Sequence, residues 1–165
     1  GNGAFLDIGF QSLSRLIMTG MNINVLVLDT QVYSKTGGQA STATMAQRSD
    51  LADHGKELKG KSEGRKELAN ICLMYPNVYF AQTTCAPFNH FYRSIMEANE
   101  YDGPSVVIAH STCQPEHGVA DNMAMHQAKL AADSRGFPLI VYDPRKVNSI
   151  KERLDLRGNP SVKED

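Results

Sequence analysis

Asp29-Thr30-Gln31-Val32-Tyr33-Ser34-Lys35-Thr36-Gly37-Gly38-Gln39 follows directly on the apolar run Ile23-Asn24-Val25-Leu26-Val27-Leu28. That run has the length and β-branched content of a buried strand. The chain therefore leaves a strand end and enters a loop of hydroxyls, an acid and two glycines. In open α/β sheets the strand ends are where ligands bind. A second glycine turn, Gly1-Asn2-Gly3, lies upstream of the strand.

Outward from this stretch the chain alternates. Before it, Phe5, Ile8, Leu13, Leu16 and Ile17 recur at helical spacing from Phe5 to Met18, and Gly20 marks the stop. After it, the segment 29–64 is long, polar and glycine-rich, with a helix expected around Ser49 to Leu58. A loop of that length in a compact domain is usually functional. The spacing then predicts a helix over Arg65 to Met74, a strand over Asn77 to Ala81 and a helix over Pro87 to Asn99. A strand follows over Ser105 to Ala109, then a loop from His110 to Gly118. The last elements are a helix over Val119 to Ser134, with a Met-rich face read as core, and a strand over Leu139 to Tyr142. Strands separated by helices give βαβ units, so the predicted fold is α/β, a parallel sheet flanked by helices. Residues 1–145 form the domain, and the charged, aperiodic 146–165 is a tail or short helix. In such a fold a strand should feed the Gly1–Gly3 turn, so the chain reads as a piece of something longer.

Bulk properties narrow the functional classes. The 165 residues suffice for one core, and 41% hydrophobic with 21% charged residues is ordinary for a globular protein. The net charge of −1 gives no basic field for nucleic acid. Lys56 to Lys66 is the one basic stretch and reads as a solvated loop. No apolar run is long enough to span a membrane. Three cysteines without a CxxC do not make a disulfide scaffold, which points to a reducing cytoplasm.

The two glycine stretches carry the chemistry. A Gly-x-Gly turn opening a helix presents unpaired N–H groups at the positive end of the helix dipole, a ready diphosphate site. Thr30 then offers a hydroxyl and Val32 a carbonyl, hard oxygens of the kind Mg²⁺ takes. Asp29 is either a cap on its own loop or part of the site. Gly37 and Gly38 suit a tight loop over a cofactor. Cys72 falls on a helix face and reads as core, and Cys85 as structural. The histidines (His54, His90, His110, His117, His126) lack metal spacing.

These residues resemble a family. Gly1-Asn2-Gly3, Asp7-Ile8-Gly9-Phe10, Val25 to Gln39, Pro104 to Cys113 and Pro138 to Arg145 are similar to the thiamine-diphosphate domain of pyruvate:ferredoxin (flavodoxin) oxidoreductases. The resemblance implies the thiamine-diphosphate-binding fold, in part. It implies thiamine diphosphate bound by Gly1, Asn2, Gly3, Asp29, Thr30, Lys35, Thr36 and Gly37, with Mg²⁺ on Asn2, Thr30 and Val32. It places Cys113 as one ligand of a [4Fe–4S] cluster in a longer parent. The implied reaction is oxidative decarboxylation of a 2-oxoacid with coenzyme A, passing electrons to ferredoxin or flavodoxin, in a homo-oligomeric parent. The glutamate that activates the cofactor belongs to another domain, so no catalytic residue is named here and the chain alone should be inert. Two positions depart from the family pattern, with Asn2 where an Asp is usual and Lys35 where an Asn is usual. Those departures support a second reading, a non-catalytic descendant kept for packing or subunit contact. A third, a generic nucleotide binder, lacks the acidic residue of the dinucleotide pattern.

Overall fold

The apolar run does form a strand, and two further strands of equal length share its register. The computed structural model describes residues 1–34, 36–46, 61–146 and 149–161. In it β1 (Asn24–Asp29), β2 (Tyr79–Thr84) and β3 (Ser105–His110) run parallel, with β3 in the middle. Asp29 and Thr84 both pair with His110, so the three strands end level at one edge. This edge positions the site. Lys35, His54, the helix expected around Ser49 to Leu58 and the start of the basic stretch lie outside the described residues.

Helices cover both faces, as the alternating pattern requires. On one face Leu6, Leu13 and Ile17 pack with Leu68, Cys72, Phe80, Val106 and Phe137. On the other, Ala98 of α3 (Phe88–Glu100) packs with Tyr79, Ala81, Val107 and Val141. Phe80 and Phe137 are fully buried, and each such ring stabilises the fold by roughly 1.5–3 kcal/mol. Cys72 sits in this core on α2 (Leu68–Leu73), as expected from its helix face.

The sheet is mixed beyond its parallel core. β4 (Ile140–Tyr142) pairs antiparallel with β2, and β5 (Leu154–Asp155) pairs antiparallel with β4. The order is β1-β3-β2-β4-β5. The segment read as a tail or short helix does hold a four-residue helix, α6 (Ile150–Arg153), and also supplies a strand at the end of the described sheet.

Other expectations need correction. β1 is not buried on both faces. It lies at one end of the described sheet, so Val27 is buried while Leu26 and Leu28 stay half-exposed. The first helix is broken. Residues Ala4–Ile8 form a wide π turn, and the regular helix α1 (Phe10–Ile17) begins after Gly9. A Cβ on Gly9 would lie 2.4 Å from the Ala4 carbonyl oxygen, so only glycine fits there. The loop before Gly118 contains a short helix, α4 (Gln114–His117). The following helix starts late, as α5 (Ala124–Asp133) after a 3₁₀ turn. Its Met face is not core: Met123, Met125 and Leu130 are exposed, and the helix buries Ala128 and Ala132 instead. Small side chains let it approach the sheet closely, which turns the larger ones outward.

Candidate functional site

Two stretches far apart in sequence meet at the level edge of the parallel strands. Thr30, the first residue after β1, places its hydroxyl 3.1 Å from Asn2 Oδ1. The same hydroxyl lies 3.1 Å from the Val32 carbonyl oxygen and 2.7 Å from Ser34 Oγ. Asn2 is buried, and its Nδ2 donates to Ser41 Oγ at 2.7 Å. Its oxygen is thereby turned toward Thr30.

The loop can bring these oxygens together because the backbone reverses at Gln31. Gln31 adopts φ 61°, a left-handed conformation that costs a non-glycine residue and is held only where its surroundings enforce it. Here the Gln31 N–H donates to Asp29 Oδ1 at 2.8 Å, and the Gln31 carbonyl accepts from the Thr44 hydroxyl. Asp29 therefore caps the turn. Its carboxyl is buried, and burial pushes it up to about 6 against the opposing hydrogen bond from Gln31 and charge of Arg65.

Gly1, Asn2, Gly3, Thr30, Val32, Tyr33 and Ser34 line one cavity of about 250 Å³. The structure thus brings together five of the residues singled out in the sequence: Gly1, Asn2, Gly3, Thr30 and Val32. Asp29, Thr36 and Gly37 are not in the wall of this cavity. Thr36 and Gly37 are exposed in the turn whose neck is closed by Tyr33 and Gln39. Cys113 is half-buried, with its sulfur 3.9 Å from the Ser34 carbonyl oxygen. A larger cavity of about 730 Å³ at the same strand edge is lined in part by Gln31, His110, Thr112 and Phe137. The smaller one carries the functional reading, because it takes in the convergent oxygens.

Sequence reasoning missed three contributors. Ser34 lies in the quoted loop, four positions after Thr30, and its hydroxyl joins the oxygen set. Asp7 and Tyr33 form a pair that ties the first helical turn to the loop, with the Tyr33 hydroxyl donating to Asp7 Oδ2 at 2.6 Å. Burial raises the Asp7 carboxyl, but hydrogen bonds from Thr42 and Tyr33, aided by the charge of Lys66, outweigh it and hold it below its ordinary value. The hydrogen bond to Asp7 raises the Tyr33 phenol.

Known proteins are similar to this chain over most of its length. Residues 1–109 match the family described as thiamine pyrophosphate enzyme, C-terminal TPP binding domain. A probable pyruvate-flavodoxin oxidoreductase of Escherichia coli (strain K12) is 39% identical over 162 residues, covering 97% of this chain and 13% of its own. The pyruvate:ferredoxin oxidoreductase of Moorella thermoacetica is 37% identical, over 88% of this chain and 12% of its own. The chain therefore spans about an eighth of the length of these relatives. Among solved structures, a 2-oxoglutarate:ferredoxin oxidoreductase from Magnetococcus marinus superposes with TM-score 0.61 over 68% of this chain and 38% of its own. At 23% identity that match speaks to the fold alone. With residues 1–109 matched, the chain belongs to the thiamine pyrophosphate enzyme family, as its C-terminal TPP-binding domain.

Proposed function

We propose that the Gly1–Gly3 turn and the Asp29–Gln39 loop hold the diphosphate of thiamine diphosphate together with Mg²⁺. The observation that carries this reading is the crowding of oxygens around Thr30 Oγ1, with Asn2 Oδ1, Val32 O and Ser34 Oγ all within 3.1 Å. Two hydroxyl protons serve four oxygens there, which leaves lone pairs for a hard cation. The proposed protein donors are Asn2 Oδ1, Thr30 Oγ1 and Val32 O. The set is neutral, and that fits a metal drawing most of its charge balance from phosphate oxygens. Amides of the first helical turn, at Gly3 and Ala4, have no partner within the helix and suit the diphosphate. Gly1, Thr36 and Gly37 complete the proposed cofactor contacts, with Lys35, which lies outside the described residues. When bound, thiamine diphosphate supplies the electron sink for decarboxylation; the residues of this chain bind and orient it.

The relatives' names support a wider proposal. The chain serves a pyruvate-type 2-oxoacid oxidoreductase that forms an acyl-coenzyme A and passes electrons to ferredoxin or flavodoxin. Such a protein would be cytoplasmic and homo-oligomeric; among the described residues no helix is long and apolar enough to cross a membrane. Cys113 is proposed as one ligand of its [4Fe–4S] cluster. Among the described residues no three His, Cys, Asp or Glu side chains converge to hold a metal, so these residues alone do not build the cluster.

Equilibrium dialysis with Mn²⁺ as a paramagnetic stand-in for Mg²⁺ tests the core of this reading. Mn²⁺ should be retained when thiamine diphosphate is present and not when it is absent. Equal retention in both cases would contradict a site whose charge comes from the diphosphate.

A further inference from the structure

Asp7 belongs to neither of the two glycine stretches, yet it is bonded to the elements that shape both. It lies in the π turn Ala4–Ile8, directly after the Gly1–Gly3 turn. Wide turns of this kind recur at functional sites. One carboxylate oxygen accepts the Tyr33 hydroxyl, and the other accepts both the Thr42 hydroxyl and the Thr42 N–H. Tyr33 in turn closes the loop. Its N–H donates to the Gln39 carbonyl at 3.0 Å, and its own carbonyl accepts from Gly38 N–H at 3.1 Å.

The Tyr33 ring also fills the space above Gly3. A Cβ on Gly3 would lie 2.1 Å from the ring. The last position of the glycine turn, Gly3, thus carries no side chain because the tyrosine of the other stretch occupies that space. Any shift of Tyr33 moves the cavity wall and the neck of the loop together, since Tyr33 is part of both.

We infer that Asp7 is a positioning residue: through the Tyr33 hydroxyl it locks the neck of the Tyr33–Gln39 loop against the Gly1–Gly3 turn, in the arrangement that receives the diphosphate. The inference deepens the binding reading above and rests on it for the ligand. Its structural half stands separately, because the order of the loop can be measured without ligand.

The test uses the full chain with Tyr33→Phe, which keeps the ring over Gly3 and removes only the hydroxyl, and Asp7→Ala. Amide hydrogen exchange is followed at Gly38 and Thr42, with Val27 and Val107 as core references. Thiamine diphosphate affinity is measured by calorimetry in Mg²⁺. Both variants should speed exchange at Gly38 about tenfold, leave the two core amides unchanged, and weaken the cofactor about tenfold. Unchanged exchange at Gly38 in both variants would overturn the inference. So would faster exchange with unaltered affinity. Faster exchange in a protein whose unsubstituted form binds no cofactor would support the hold of Asp7 on the loop and overturn the cofactor reading instead.

Discussion

Thr30 Oγ1 lies 3.1 Å from Asn2 Oδ1, a contact that joins residues 28 positions apart across the ends of the sheet. The Thr30 hydroxyl lies within 3.1 Å of every other oxygen of the proposed cation site. Thr30→Val keeps the shape and removes that group. It should weaken Mn²⁺ binding in the presence of thiamine diphosphate about tenfold, or about 1.4 kcal/mol. Urea unfolding should show a loss of about 1 kcal/mol, the ordinary value of a hydrogen bond. Undiminished Mn²⁺ binding would remove Thr30 from the site.

Asp29 gives a pH dependence with a definite sign. Its carboxyl rises from 3.8 to about 6 on folding, mainly because it is buried. A carboxyl that binds its proton more tightly when folded adds stability that is complete below about pH 4 and is lost as pH rises through about 6. The amount is on the order of 2–3 kcal/mol. Asp29→Asn keeps an oxygen for the Gln31 N–H and cannot ionise. Relative to the unsubstituted chain, it should gain stability by that order between pH 4 and pH 7 in urea titrations. A difference that stays flat with pH would show that Asp29 does not titrate in this window.

Strand β1 should respond differently on its two faces. Val27 is 1% exposed and Leu26 is 50% exposed. Val27→Ala should cost about 2 kcal/mol by removing methyl groups from the core. Leu26→Thr should stay within about 0.5 kcal/mol, as surface changes usually do, and threonine suits a strand. Denaturant midpoints of the two variants make the comparison, and equal losses would mean that Leu26 is covered.

The three cysteines should separate by reactivity. Cys72 is fully buried, and burial pushes its thiol up to about 12, so little thiolate is present. Iodoacetamide on the native chain should modify the half-buried Cys85 and Cys113 and spare Cys72, with all three modified after denaturation. Mass spectrometry of the labelled peptides reads this directly, and native labelling of Cys72 would contradict its place in the core.

The strands of the parallel core were legible because β2 and β3 are short runs rich in apolar and β-branched residues, set off by glycine and proline. The direction of β4 was not, since three residues carry no signal of orientation and the connection decides it. The Met face of α5 misled for a related reason. Hydrophobic periodicity marks a face, but it does not reveal that Ala128 and Ala132 allow the closer approach and win the contact. At the site, Thr30 and Val32 could be chosen from the loop by their oxygen chemistry. Ser34 needed the left-handed turn at Gln31 to bring it near, and an unremarkable glutamine gives no warning of that. Asp7 was hidden because a lone acid in a helical stretch reads as solvated surface.

Isothermal titration of the chain with thiamine diphosphate in excess Mg²⁺ is the most direct test of the central claim. The account predicts saturable one-to-one binding that disappears when the divalent cation is chelated. No heat at millimolar cofactor with Mg²⁺ present, or binding indifferent to the chelator, would contradict it.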